Sequence, residues 1–221
     1  MIQGSVTSMR CLLCGQRKGK RHCPAKNAPI CAQCCGEKRI LEIDCPESCG
    51  YLQVGREREA GQEGLRHYRA SDPFEQEKRA RVLGEFGFVI SDLQTTIASE
   101  RKSSRDFSDA DVAEALDCLL KTLRTENNGV IYETTSNNLG AEGLRRQLST
   151  RIHSLRYPKE NDHPRLHLKD AIECLEVLRA VVASHLEAGP SSPRFVDFLV
   201  RSVPRSGRIG PSQPSIIIPS R

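Results

Sequence analysis

Tryptophan is absent from the 221 residues, and aromatic residues make up only 5% of them. A large β-sandwich or barrel core draws on more aromatic mass, so the shortage favours helices. No apolar stretch approaches the ~20 residues needed to span a bilayer. Residues 1–10 (MIQGSVTSMR) lack the apolar run of a secretory signal. A soluble, reducing, cytoplasmic setting with no membrane partner is therefore expected. The sequence also lacks an H-E-x-x-H pair, a Gly-rich phosphate loop and a G-x-S-x-G elbow. The familiar hydrolytic and nucleotide-binding chemistries have no residues to carry them. No repeat of fixed period is visible either.

What the sequence does hold is cysteine, unevenly placed. Eight of the ten stand close together at Cys11, Cys14, Cys23, Cys31, Cys34, Cys35, Cys45 and Cys49. In a reducing compartment such density points to metal ligands and away from disulfides. Zn²⁺ takes four soft or borderline ligands in a tetrahedron, and a C-x2-C turn can place two thiolates on one ion. Cys11-x2-Cys14, with Gly15 behind it, is one such turn. Cys31-x2-Cys34, followed at once by Cys35, is another. Cys45-x3-Cys49 adds a pair at the spacing of one helical turn, and Cys23 stands alone after His22. Eight thiolates divide into two closed four-ligand shells, so two structural zinc ions are expected. A single ion, with Cys34 or Cys35 merely packing, is one alternative. An iron–sulfur cluster on the same thiolates is another. Apolar groups are scarce in the first fifty residues, so bound metal should supply much of the folding free energy there. Cys118 and Cys174 lie at or beside apolar helix faces and read as small buried hydrophobes.

The run C11-x2-C14-x8-C23-P24, then I30-C31-x3-C35, then C45-P46-x2-S48-C49 resembles the cross-brace zinc fingers of the HIT and MYND type, which share a treble-clef fold. In those families alternate ligand pairs share an ion. The resemblance implies a first ion on Cys11, Cys14, Cys31 and one of Cys34 and Cys35. It implies a second on Cys23, the other of that pair, Cys45 and Cys49. It extends over residues 11–49 only.

The net charge is +5, and the first 55 residues carry eight basic against four acidic side chains. Arg17, Lys18, Lys20 and Arg21 form a loop between the first C-x2-C turn and Cys23, with Lys38 and Arg39 further on. Such a loop can grip phosphates. No aromatic platform or recognition helix accompanies it, so base reading is not expected.

Beyond residue 53 the pattern is helical. An Arg/Glu-rich connecting helix is weakened by Gly61 and Gly64. Asp72-Pro73 opens a helix whose Val82, Phe86, Val89, Ile90, Leu93 and Ile97 share one face. Gly84 and Gly87 interrupt its middle. Ser108 and Asp111 form a capping box ahead of Val112, Leu116, Leu119, Leu120 and Leu123. Asn127-Asn128-Gly129 ends that helix. The run Val130-Ile131-Tyr132 is expected to be buried, as strand or helix. Leu144, Leu148, Ile152 and Leu155 mark a further helix that stops at Tyr157-Pro158. A last long helix runs from about Pro164 to Leu186, stopped by Gly189-Pro190, and residues 193–201 suit a short one.

The expected fold is mainly α. A flexible stretch spans 1–10, a Cys-rich zinc-binding module 11–53, an all-helical domain 54–201 and a disordered tail 202–221. The tail ends in Ile216, Ile217 and Ile218 between two prolines, which suits strand addition to an open edge. The function expected from this organisation is binding without catalysis. A zinc-binding adaptor or regulatory protein docks a protein partner through its helical domain. A nucleic-acid-binding regulator using the basic loop is the second reading, and a redox or iron–sulfur protein the third.

Overall fold

The computed structural model describes residues 10–70, 72–158, 165–188 and 194–202. The expectations for residues 1–9, for Pro164, for Gly189-Pro190 and for the tail beyond Ser202, including Ile216–Ile218, lie outside them. Among the described residues are seven helices and one two-stranded sheet, and no helix is long and apolar enough to cross a membrane.

Strands β1 (Arg21–Cys23) and β2 (Ala28–Ile30) pair antiparallel, with Arg21 opposite Ile30 and Cys23 opposite Ala28. Asn27 turns the hairpin at φ 46°, a left-handed conformation that asparagine tolerates better than most residues. Helix α1 (Ala32–Lys38) follows directly. Helix α2 (Gly50–Ala70) begins one residue after Cys49. It therefore starts inside the expected module, and Leu52 in its first turn packs among the cysteines. Cys45 and Cys49 precede α2 on a turn, closed by a Cys49 N–H to Pro46 carbonyl bond of 3.0 Å, and do not share a helical turn.

Helix α3 (Pro73–Ser103) opens as expected, with the Asp72 carboxylate accepting from the Glu75 N–H at 2.9 Å. It bends at Phe86 (φ −119°, ψ 23°), between Gly84 and Gly87. Helix α4 (Asp109–Asn127) carries the Ser108/Asp111 capping box, and Gly129 at φ 79° follows its end. Helices α5 (Leu139–Arg156), α6 (Leu168–Glu187) and α7 (Phe195–Ser202) complete the bundle. The apolar faces read from the sequence meet in one core, which includes Cys174, Leu166 and most of α7. Cys118 is buried too.

Residues 130–136 correct one expectation. Val130, Ile131 and Tyr132 are exposed, not buried. The segment is extended and runs back along α4 from its end to its start. Its contacts descend the helix in order. The Thr125 hydroxyl donates to the Tyr132 carbonyl at 3.4 Å, the Thr134 N–H donates to Thr122 Oγ1 at 2.9 Å, and the Asn138 amide donates to Asp111 at 2.6 Å. This return lets α5 pack beside α4 in the same direction. Its polar bonds run to side chains of α4, so its own apolar side chains are left outside the core.

The cysteine module is seated on the helical body. Ile40 packs against both apolar clusters, that of the cysteines and that of the bundle. It does so at φ 64°, a costly conformation for a β-branched residue. Beside it Arg39 pairs with Glu59 of α2 at 3.1 Å, and Glu59 pairs with Arg201 of α7 at 2.9 Å. Arg56 of α2 joins Glu47 to the Arg201 carbonyl.

Candidate metal centre

Cys11 and Cys14 sit on a tight turn that the backbone closes on itself. The Cys11 N–H donates to the Arg17 carbonyl at 2.7 Å, and the Gly15 N–H donates to the Cys11 carbonyl at 2.8 Å. Gly15 lies at φ +66°, which explains glycine immediately after the pair. The Leu12 N–H reaches the Pro29 carbonyl at 3.0 Å and holds the turn against the strands. Cys31 is the N-cap of α1, in extended conformation, and its sulfur accepts from the Cys34 N–H at 3.3 Å. Cys34 is therefore carried in the first turn of the helix, facing the Cys11–Cys14 turn.

The result is four sulfurs, of Cys11, Cys14, Cys31 and Cys34, all within 4.8 Å of one another. A tetrahedral ion with bonds of ~2.3 Å needs sulfurs about 3.8 Å apart, so modest closure of the existing cage suffices. The cage can bind a metal and matches a zinc-finger site. It also decides between Cys34 and Cys35, since Cys34 joins the first group.

The electrostatics of the cage favour a cation. Donation from the Arg17 and Gln16 N–H groups lowers Cys14 to about 6. Cys31 is lowered too, chiefly by the Cys34 N–H. Cys34 is pushed up to about 12, first by burial and then by the crowding of Cys31, Cys14 and Cys11. Some of the four resist ionisation because the others are close, and a divalent ion removes that conflict. Arg17 supplies further positive charge: the Cys31 and Cys14 sulfurs near its guanidinium raise its own pKa.

The other four module cysteines, Cys23, Cys35, Cys45 and Cys49, are buried in the same cluster. Burial pushes Cys45 up, and the nearby Cys49, Cys23 and Cys35 add to the shift. Their sulfurs do not converge as the first set does. Among the described residues, Cys11, Cys14, Cys31 and Cys34 are the group close enough to hold an ion.

The six basic residues of interest divide four ways. Arg17 bonds Gln33, near enough to the Cys31 and Cys14 sulfurs for them to raise its pKa. Lys38 pairs with Glu42 at 2.6 Å and Arg39 with Glu59 at 3.1 Å. Arg21 lies over the Tyr51 ring, 4.9 Å from its centre. Lys18 and Lys20 remain exposed on the loop.

Sequence reasoning missed the part Arg17 plays at the sulfurs, the turn of Arg39 into α2, and the buried Asp109. The Asp109 carboxylate accepts from the Phe195 and Val196 N–H groups at 2.8 and 2.9 Å and so caps α7. The signal for Arg17 was its place three residues after a ligand. The other two depend on residues distant in the chain and left no local mark.

No family model, curated protein or solved structure matches this chain. The fold and the site alone define its class: a cysteine module whose four-sulfur cage is close enough to bind a metal, consistent with a zinc finger, followed by a helical bundle.

Proposed function

We propose that the protein is a non-enzymatic zinc-binding adaptor in which metal folds the cysteine module, and module and bundle together present a surface to a protein partner. The observation that carries this reading is the clamp of Arg39, Glu59 and Arg201, reinforced by Ile40. It ties the module to two helices of the bundle. Four thiolates complete a tetrahedron and leave no position for water or substrate, which suits a structural ion. Leu12, Tyr51 and Val54 are exposed around the module and offer apolar contact to a partner.

A second zinc ion belongs to this proposal. Cys23, Cys35, Cys45 and Cys49 interleave with the first ligand set along the chain, as in the cross-brace fingers of the HIT and MYND type, and all four are buried. Closing them around an ion requires their sulfurs to draw together on binding. Metal analysis of protein purified under reducing conditions should give two zinc ions per chain, one remaining in Cys45→Ser. A single ion in the parent protein would remove the second site. For the adaptor role, partners captured from cells by the intact chain should be lost with Cys34→Ser. Equal capture by both would sink it.

A nucleic-acid partner is the second reading. It is favoured by one observation: residues 10–36 contain no acidic side chain, and Lys18 and Lys20 are exposed among them. Affinity for a short duplex should then fall with salt. Replacing both lysines by alanine should flatten the log–log slope by about 2. Absence of binding at low salt ends this reading.

A further inference from the structure

Helix α2 is fastened unevenly. Among residues 50–62 only Leu52 is buried, and it packs in the cysteine cluster and not in the bundle core. Polar contacts tie the same stretch to the module as well. Arg21 lies over the Tyr51 ring, the Gln53 amide donates to the Glu47 carbonyl at 3.2 Å, and Arg39 pairs with Glu59 at 3.1 Å. Gly50, Gly55 and Gly61 weaken the stretch as a helix. Helices in proteins owe most of their stability to packing of an apolar face. The apolar anchor of this one is the module.

The C-terminal end of α7 depends on α2 in turn. Glu59 pairs with the buried Arg201 side chain at 2.9 Å, and Arg56 donates to the Arg201 carbonyl. That carbonyl is one of the last four of α7, which have no partner within the helix. The other end of α7 is held by the bundle itself. Asp109 of α4 accepts from its first N–H groups, and Arg101 of α3 pairs with Asp197 at 2.9 Å.

We infer that α2 is a metal-dependent strap, which regulates how α7 is seated. With the module closed around its ion, Leu52 is buried, α2 is helical from Gly50 onward, and Arg56 and Glu59 clip the last turn of α7 to it. Without the ion, Leu52 loses the cluster that buries it and α2 melts from its start. Arg201 is then left without its carboxylate, which a buried guanidinium does not tolerate. The C-terminal end of α7 comes away, while Asp109 and Arg101 keep the other end in place. The surface that α2 and α7 share exists only while metal is bound. This inference rests on the reading that metal folds the cysteine module.

The test is amide hydrogen exchange of the full zinc-loaded chain under reducing conditions, before and after EDTA, with zinc then added back. Chelation should bring residues 53–62 close to the exchange of an unfolded chain, speed residues 199–202 by about tenfold and leave α4 to α6 unchanged. Zinc should restore both segments. In the zinc-loaded chain, Arg56→Ala combined with Glu59→Gln should speed residues 199–202 by the same factor while β1, β2 and α1 stay protected. Residues 53–62 that still exchange slowly after EDTA overturn the inference. If β1, β2 and α1 also stay protected, the metal reading falls with it; if they open while α2 persists, the strap alone falls. Equal acceleration in α4 to α6 overturns it too, since the whole bundle would be loosening. So does a double variant in which residues 199–202 exchange as in the parent.

Discussion

Arg39 occupies the space that a side chain on Gly55 would need: its Nη1 lies 1.2 Å from where a Cβ would be. The guanidinium crosses the surface of α2 at that point to reach Glu59, and glycine there leaves it room. Alanine at 55 gains up to ~1 kcal/mol of helix propensity but evicts the end of a flexible side chain and opens the Arg39–Glu59 pair. The two effects should nearly cancel, leaving Gly55→Ala close to neutral. Arg39→Ala alone should cost about 1 kcal/mol, and almost nothing further in the Gly55→Ala background. A double-mutant cycle by urea unfolding measures this. Strictly additive effects would show that Arg39 and Gly55 are independent.

Arg17 should matter to the metal without being a ligand. Its positive charge, beside the Cys31 and Cys14 sulfurs, offsets the negative charge of four thiolates. Arg17→Ala should weaken zinc binding by about tenfold, the lower end for an outer-shell partner. Competition with a chromophoric chelator reads the change. Affinity equal to the parent's would remove Arg17 from the site.

Metal removal should act on one part of the molecule. The cysteine cluster and the bundle core are separate clusters that meet at Ile40. Chelation under reducing conditions should therefore unfold β1, β2 and α1 while α3 to α6 persist. Far-UV circular dichroism should keep most of its helical signal, while the module's amides exchange rapidly. Preserved protection of those amides after EDTA would show that the module folds without metal.

Asp109 should be a large single contributor to the seating of α7. It is buried and accepts from two buried N–H groups. Asp109→Ala strands both donors and should cost about 2–3 kcal/mol in urea unfolding. Asp109→Asn keeps one acceptor oxygen and should lose roughly half as much. A loss below about 0.5 kcal/mol for the alanine variant would mean that α7 finds another cap.

Acid should loosen the bundle through its paired carboxylates. Hydrogen bonds from Arg145 and Arg146 hold Glu142 well below the usual carboxylate range, and those from Arg156 lower Glu126. A folded-state pKa below the unfolded one means that the unfolded chain binds more protons in acid. The stabilisation is then complete above the ordinary value of 4.5 and drains away as pH falls below it. Denaturation midpoints should be flat from about pH 7 to 5.5 and fall steeply below about pH 4.5. In Glu142→Gln the acid slope should be shallower. An identical slope would assign the acid sensitivity to other groups.

Local chemistry was legible before any coordinates. Asp72, Ser108 with Asp111, and Gly129 mark helix ends through bonds to residues three or four away, and they stand where the sequence placed them. The apolar faces of α3 to α6 were likewise visible, since burial repeats every three to four residues. Val130-Ile131-Tyr132 misled for the same reason. A short apolar run carries no period, and its exposure is set by Thr122 and Thr125 holding the backbone alongside α4. The choice between Cys34 and Cys35 had no local answer either. Cys34 closes the C-x2-C turn and Cys35 follows it at once, and only the direction in which α1 leaves Cys31 turns Cys34 toward Cys11.

The sequence by itself determined that thiolates crowd the N-terminal module, that helices follow, and where most of those helices begin and stop. These are matters of spacing within a few residues, where covalent geometry limits the choices. Which four sulfurs converge, how Arg39 crosses α2 at Gly55, and which apolar residues stay outside the core were decided only in three dimensions. Each of those depends on groups far apart in the chain, brought together by packing that no neighbouring residue encodes.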